Sequence, residues 1–143
     1  MVKEEMSMKK MCQNIFLVFL FFTKVIFAQE GSFENVSCVL QVDGKIVTAG
    51  QVTVDGIPQF LVVRYLTNGL VDTTFNAIGY NTASPTGTQA GASGVGIDSS
   101  NNIIAAGYVC DGDTKVAVQR YTSAGTLDNT FGTGGIFTFP INE

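Results

Sequence analysis

Asp72 and Asp128 are the first residues in this chain whose type and spacing suggest chemistry. Each stands three residues before a phenylalanine, as Asp-Thr-Thr-Phe ending at Phe75 and Asp-Asn-Thr-Phe ending at Phe131. Each also follows an arginine by eight residues, Arg64 and Arg120. Two carboxylates in matching settings could form an acid and base pair or supply calcium ligands. Recurrence at equivalent positions argues the other way, because an active site is one asymmetric place whereas a repeated unit reuses its structural contacts. The carboxylates are therefore expected to cap turns by accepting backbone N–H bonds, with the phenylalanines filling the gap between units. An arginine on a covered strand needs a partner, and the aspartate eight residues on is the natural one. Arg64, Asp72, Phe75, Arg120, Asp128 and Phe131 are thus read as structural repeat positions.

Other candidate chemistry is weaker. The chain has no histidine and no tryptophan, which removes Ser-His-Asp and Cys-His catalysis, imidazole base work and most zinc sites. No catalytic residue, metal site or cofactor is expected. Asp111-Gly112-Asp113 could begin a calcium loop, but the further oxygen ligands such a loop needs do not follow, so it reads as a hairpin tip. Gly91 to Gly96 superficially suggests a dinucleotide fingerprint, yet no βαβ unit surrounds it. Tyr65 and Tyr121 are repeat-equivalent and expected to be packed. Tyr80 and Tyr108 have no such counterpart and are the better candidates for a ligand face.

The elements that must position these residues follow from the repeat. From Arg64 to Phe75 the first copy maps onto Arg120 to Phe131 at an offset of 56, and Gly79 falls on Gly135. Upstream, Ile46 and Ala49-Gly50 map onto Ile103 and Ala106-Gly107 at an offset of 57. A one-residue deletion between Gln51 and Phe60 reconciles the two, as a hairpin loop of variable length would. Each copy reads as four short strands. In the first these are Cys38 to Val42, Lys45 to Val52, Phe60 to Tyr65 and Tyr80 to Ala83. In the second they are Val95 to Asp98, Ile103 to Val109, Val116 to Tyr121 and Ile136 to Phe139. Asp43-Gly44 between apolar runs predicts a type I′ hairpin, with positive φ at both residues. A second hairpin is expected at Asp55-Gly56-Ile57-Pro58 and at Asp111-Gly112-Asp113. Both faces of the first copy are largely apolar, the pattern of a sheet covered on both sides. No segment beyond residue 28 shows a capped helical period. The fold class is all-β: two four-stranded antiparallel, blade-like repeats of about 56 residues, a partial β-propeller.

The residues Asp43-Gly44-Lys45-Ile46-Val47-x-Ala49-Gly50, Phe60-x-x-x-Arg64-Tyr65 and Gly69-x-x-Asp72-x-x-Phe75 resemble the delta-60 repeat. That repeat occurs in tandem in secreted and surface bacterial proteins and is taken to build propeller-like β-structure. The resemblance covers about residues 36–82, and about 94–138 with departures: Ser100-Asn101-Asn102 replaces Asp-Gly-Lys, and Gln119 stands at the place of Val63. It implies a fold and carries no catalytic or ligand residues.

The N-terminus implies export. Lys9 and Lys10 precede the apolar run Ile15 to Phe22, and Ala28-Gln29 offers a small residue at a cleavage point, the order of a secretory signal. Ile15 to Ala28 is shorter than a membrane span and contains Lys24. Cys12 lies before the apolar run, which disfavours a lipoprotein. The domains are accordingly residues 1–28 as signal peptide, 29–92 as first repeat and 93–143 as second. Beyond residue 28 four basic residues stand against ten acidic ones, so no nucleic-acid or anionic-lipid partner is expected. Cys38 and Cys110 occupy different repeat positions and are expected to be separate buried thiols. Asn35-Val36-Ser37 matches a glycosylation sequon.

Two blades cannot close a ring, and apolar faces at both ends of the stack would be exposed. The expected function is an exported, non-catalytic β-propeller-type module for binding or scaffolding, secreted or at the cell surface. Its expected partners are further copies or neighbouring repeats, a glycan or a surface protein. The alternatives are a lectin-like oligomer of two-blade chains and a fragment of a longer surface propeller.

Overall fold

Runs of β-branched and aromatic residues, broken by Asp-Gly and Asn-rich turns, pair into two four-stranded antiparallel sheets. The computed structural model describes residues 36–84 and 89–141. Residues 1–28, expected to be a signal peptide, Cys12 and Asn35 of the sequon lie outside the described residues. The first sheet holds β1 (Ser37–Leu40), β2 (Ile46–Val54), β3 (Ile57–Tyr65) and β4 (Tyr80–Ala83), side by side in that order. The second holds β5 (Gln89–Ile97), β6 (Ile103–Cys110), β7 (Thr114–Tyr121) and β8 (Ile136–Pro140), also in chain order. Among the described residues no helix is long and apolar enough to cross a membrane.

The two registers are the same register. Gln51 pairs with Phe60 and Thr53 with Pro58, while their counterparts Tyr108 and Cys110 pair with Val116 and Thr114. Between the latter pairs four residues, Val54 to Ile57, become three, Asp111 to Asp113. The expected deletion thus falls in a hairpin tip and leaves the sheet undisturbed.

Turn chemistry differs from expectation at one place. Of Asp43 and Gly44 only Gly44 has positive φ, at 81°. Gly44 N–H donates to the Gln41 carbonyl at 2.9 Å, and Gln41 N–H to the Lys45 carbonyl at 2.8 Å. The loop is therefore a three-residue connection closed by a left-handed glycine, because one extra residue lets an ordinary turn match the strand twist. Asn101 (φ 61°) takes this position in the second copy, as asparagine tolerates the left-handed region. The type I′ turn is instead Asp55-Gly56, with φ of 50° and 79°.

Strand β5 is longer than the expected Val95 to Asp98, and Gly91 to Gly96 lies within it with a bulge between Ala92 and Gly94. Gly91 of this strand and Gly107 of β6 answer to close packing, whereas Gly94 and Gly96 have open space around them. A Cβ on Gly91 would stand 2.6 Å from Gln51 Oε1, and one on Gly107 would stand 1.9 Å from the Gly91 carbonyl oxygen.

The core lies between the sheets. Val47, Ala49, Phe60 and Val62 of the first meet Ala90, Ala92, Ile103, Ala105, Ala117 and Tyr121 of the second. By register, Val47, Ala49, Val62 and Arg64 share one face of the first sheet. Their counterparts Ile104, Ala106, Val118 and Arg120 share the face of the second sheet turned away from that core. The sheets therefore stack in the same sense, as successive blades do, so the second sheet offers outward the face that the first uses inward. That outward face carries exposed apolar groups: Val116, Phe137 and Phe139 are 37%, 47% and 58% accessible. On the opposite face of the first sheet Leu61, Val63 and Tyr65 are buried, while Leu40 and Ile57 are exposed. The expected open apolar face is present at the second sheet. The expectation of two separate buried thiols fails at Cys38, which is disulfide-bonded, while Cys110 forms no disulfide, so the two are not joined to each other. Both are half-buried rather than buried.

Candidate functional site: the joint between blades

Arg64 lies at the end of β3, where the chain leaves the sheet and returns. Asp72 N–H donates to the Arg64 carbonyl at 2.9 Å, which brings the two side chains together across eight residues. Asp72 then organises the turn that follows. Its Oδ1 accepts the Thr74 N–H at 3.1 Å and the Thr74 hydroxyl at 2.6 Å, and its main-chain carbonyl accepts Phe75 N–H at 2.9 Å. This fulfils the expected turn-capping role of the aspartate.

The guanidinium uses all three nitrogens. Nε donates to Asp72 Oδ2 at 2.8 Å, Nη2 to Thr74 Oγ1 at 3.2 Å and Nη1 to the Ser123 carbonyl of the second blade at 2.6 Å. Its carbon Cζ lies 4.8 Å from the centroid of the Phe75 ring, a cation–π contact. The Arg64 and Asp72 side chains are 7% and 3% accessible. Burial raises the Asp72 pKa, but the Thr74 hydroxyl and amide and the Arg64 charge overcome it and hold the carboxyl below its ordinary value.

Around this pair the second blade seats one turn. Thr122 N–H bonds to the Thr126 carbonyl at 2.8 Å and Gly125 N–H to the Thr122 carbonyl at 2.9 Å, closing a turn with Gly125 at φ 94°. Besides Ser123, its Ala124 carbonyl accepts Asn76 N–H at 2.7 Å, and its Gly125 carbonyl accepts Asn81 Nδ2 at 2.8 Å. Gly125 lies against Phe75 so closely that a Cβ there would stand 2.7 Å from the ring. Phe75 is wholly buried. The turn is a plug made of main-chain carbonyls, and Arg64, Phe75, Asn76 and Asn81 form its socket.

The second copy rebuilds the arginine, aspartate, threonine and phenylalanine of the socket, with Gly132 and Phe137 in the places of Asn76 and Asn81. Arg120 Nε donates to Asp128 Oδ2 at 2.7 Å and Nη2 to Thr130 Oγ1 at 3.0 Å. Asp128 Oδ1 accepts the Thr130 N–H at 3.0 Å and its hydroxyl at 2.7 Å. Arg120 Cζ is 4.9 Å from the Phe131 centroid. The Thr130 hydroxyl and amide hold the Asp128 carboxyl below its ordinary value, against the opposing effect of desolvation and with help from Arg120. The Arg120 and Asp128 side chains are 25% and 13% accessible, and Phe131 is only half-buried.

Sequence reading paired the arginines with the aspartates and placed Phe75 between blades, as the structure shows. It missed the plug, Asn76, Asn81 and Gln119. Wholly buried Gln119 accepts the Tyr121 hydroxyl and donates to the Ala83 carbonyl of β4 at 3.2 Å. A lone amide at a position apolar in the other copy was the available signal. The candidate ligand tyrosines lie on different blades. Tyr80 is half-buried on β4, while Tyr108 on β6 donates its hydroxyl to Gln51 Oε1 at 2.8 Å.

Beside the joint is a cavity of about 220 Å³, lined by Gln41, Asp43, Lys45, Arg64, Asn101 and Ser123 among others. Its charges are mutually compensated, with Lys45 Nζ 3.1 Å from Asp43 and 3.7 Å from Asp72. At the hairpin tip, Asp111 Oδ2 accepts Lys115 Nζ at 2.7 Å. Among the described residues no group of three or more His, Cys, Asp or Glu is placed to hold a metal ion.

Two like-stacked four-stranded sheets, joined by a repeated socket and plug, define a β-propeller-type repeat protein. Residues 41–75 and 99–131 match a family described as domain of unknown function (DUF5122) beta-propeller. The two matched segments contain both arginines, both aspartates and both phenylalanines of the joint. No curated protein and no solved structure matches the chain.

Proposed function

We propose that the chain is an exported, non-catalytic module for binding or scaffolding, built from delta-60-like repeats and working at the cell surface or in the medium. The observation that carries this reading is the full occupation of the Arg64–Asp72 pair. Arg64 and Asp72 are engaged on every polar side-chain atom by each other, by Thr74 and by the neighbouring blade. A general base needs an available oxygen and a pKa near the working pH, whereas Asp72 is buried, fully bonded and shifted downward. Arg64, aimed by Asp72, bonds to the neighbouring blade instead.

Export rests on the basic, apolar and small-residue order before Gln29. Expression in a secreting host followed by N-terminal sequencing is expected to recover a chain beginning near Gln29. Recovery of an intact, membrane-embedded chain with its initiating methionine overturns the exported reading. A glycan array probed with the secreted protein is expected to stay blank. Saturable binding there would favour the lectin-like alternative, with Tyr80 and Tyr108 as the residues to test.

A further inference from the structure

The joint inside the chain is a template for one that is open among the described residues. Among the described residues, Arg120 repeats two of the three Arg64 bonds, to Asp128 and Thr130, and has no counterpart of the Nη1 bond to a neighbouring carbonyl. Gly132 stands where Asn76 does, and among the described residues its N–H has no counterpart of the bond from Asn76 to Ala124. Phe131 is half-buried where Phe75 is wholly buried. Around this socket lie the exposed Val116, Phe137 and Phe139, on the face that in the first sheet is core.

The chain also carries a spare plug. Leu66 N–H bonds to the Leu70 carbonyl at 2.8 Å and Gly69 N–H to the Leu66 carbonyl at 2.9 Å. Those are the bonds of the Thr122–Thr126 turn, in the same order and at the same lengths. Gly69 has φ of 83° against 94° for Gly125. Nothing lies within 4 Å of where a Gly69 Cβ would be, whereas Gly125 is pressed against Phe75. Thr67 and Asn68 are exposed.

Resting on the scaffold reading above, we propose that the open socket at Arg120 and Phe131 receives the Thr67-Asn68-Gly69 turn of a second copy of this chain. The contact is head-to-tail, one end of a chain meeting the opposite end of the next. Contacts of that kind close into rings when the rotation permits. Propellers typically have four to eight blades, so two-blade chains close as dimers, trimers or tetramers.

Two variants separate the ends. Arg120→Ala disables the socket. Gly69→Asn keeps the left-handed turn, which asparagine tolerates, and adds a side chain that meets open space in one chain and an aromatic ring in the assembled joint. Light scattering on the secreted protein is expected to give two, three or four chain masses for the wild type and one for each variant. An equimolar mixture of the variants retains one working plug and one working socket, so it is expected to give a dimer and nothing larger. A wild-type monomer, variants that keep the wild-type mass, or a mixture that stays monomeric each overturn the proposal. Circular dichroism checks folding, and if Arg120→Ala does not fold, Gly69→Asn alone decides. A secreted monomer removes the second copy as partner and leaves the scaffold reading standing with neighbouring repeats. Failure of export removes the reading itself.

Discussion

Alanine at Arg64 and alanine at Arg120 are the same chemical change at the same place in two copies, yet the structure predicts unequal costs. Removing Arg64 strands Asp72, whose side chain is only 3% accessible, and leaves the Ser123 carbonyl without its donor. Breaking a buried ion pair from one side costs about 3–5 kcal/mol. Lys45, 3.7 Å from Asp72, and the two Thr74 donors remain to compensate, so about 3 kcal/mol is the expected value. Arg120 and Asp128 are more accessible, at 25% and 13%, and no bond across blades is lost. An exposed pair contributes about 0–1 kcal/mol and its cation–π contact about 0.5–1 kcal/mol more, so Arg120→Ala is expected to cost about 1 kcal/mol.

The measurement is urea unfolding with linear extrapolation, carried out in a Gly69→Asn background so that self-association does not enter. Arg64→Lys is the control for charge alone. It keeps a cation beside Asp72 but cannot reach Asp72, Thr74 and Ser123 at once, so most of the loss should remain. Equal costs for the two alanine variants, within about 0.5 kcal/mol, would refute the burial argument. A double-mutant cycle of Arg64→Ala with Asp72→Ala that gives no coupling would refute the pairing itself.

Gly125→Ala should destabilise by well over the roughly 1 kcal/mol that left-handed strain costs at Gly69→Ala, because only at Gly125 does the new Cβ meet the Phe75 ring, at 2.7 Å; comparable urea midpoints would count against the plug. Acid should unfold the protein as pH falls below the ordinary aspartate value of 3.8. The folded-state pKa values of Asp72, Asp98 and Asp128 are depressed, so their stabilisation is present above that value and lost as pH falls through the folded values. Asp72→Asn should flatten the fall of the urea midpoint between pH 4 and pH 2, and an unchanged slope would show that this carboxylate is not strongly linked to folding.

Residues whose side chains do the work were the legible ones. Val62 and Phe60 marked a strand by their shape, and Asp55-Gly56 and Asp111-Gly112 marked hairpins by the dihedral angles they permit. Arg64 announced Asp72 because a guanidinium on a covered strand must be compensated. The plug was illegible because its working groups are the carbonyls of Ser123, Ala124 and Gly125, which every residue possesses. Strand β5 was half legible for a related reason: Gly91 is there for what a Cβ would hit, and a missing side chain leaves no periodicity to read. The turn at Gly44 was misjudged by one residue because Asp-Gly suits both a two-residue hairpin and the end of a three-residue one.

The same division explains which parts of the two copies differ. Plug residues Thr67-Asn68-Gly69 and Ser123-Ala124-Gly125 share only the glycine. Of the socket, Arg, Asp, the second Thr and Phe are identical in both, while Asn76 and Asn81 are replaced by Gly132 and Phe137. A socket that donates through a side chain requires that side chain, together with the carboxylate that aims it and the ring beneath it. A plug that accepts through its main chain requires only the turn, hence only the residue that permits positive φ and leaves room for the ring. One socket can therefore receive turns of different sequence, provided that each keeps its glycine. Arg64 and Arg120 then differ through their neighbours rather than through their own sequence. Arg64 has a blade beside it and is closed, while Arg120 holds the same geometry with its third donor still unanswered among the described residues. In a stack of this kind a unit's stability includes the interface with its neighbour, and seating a turn on Arg120 should bring the second blade toward the burial that the first already has.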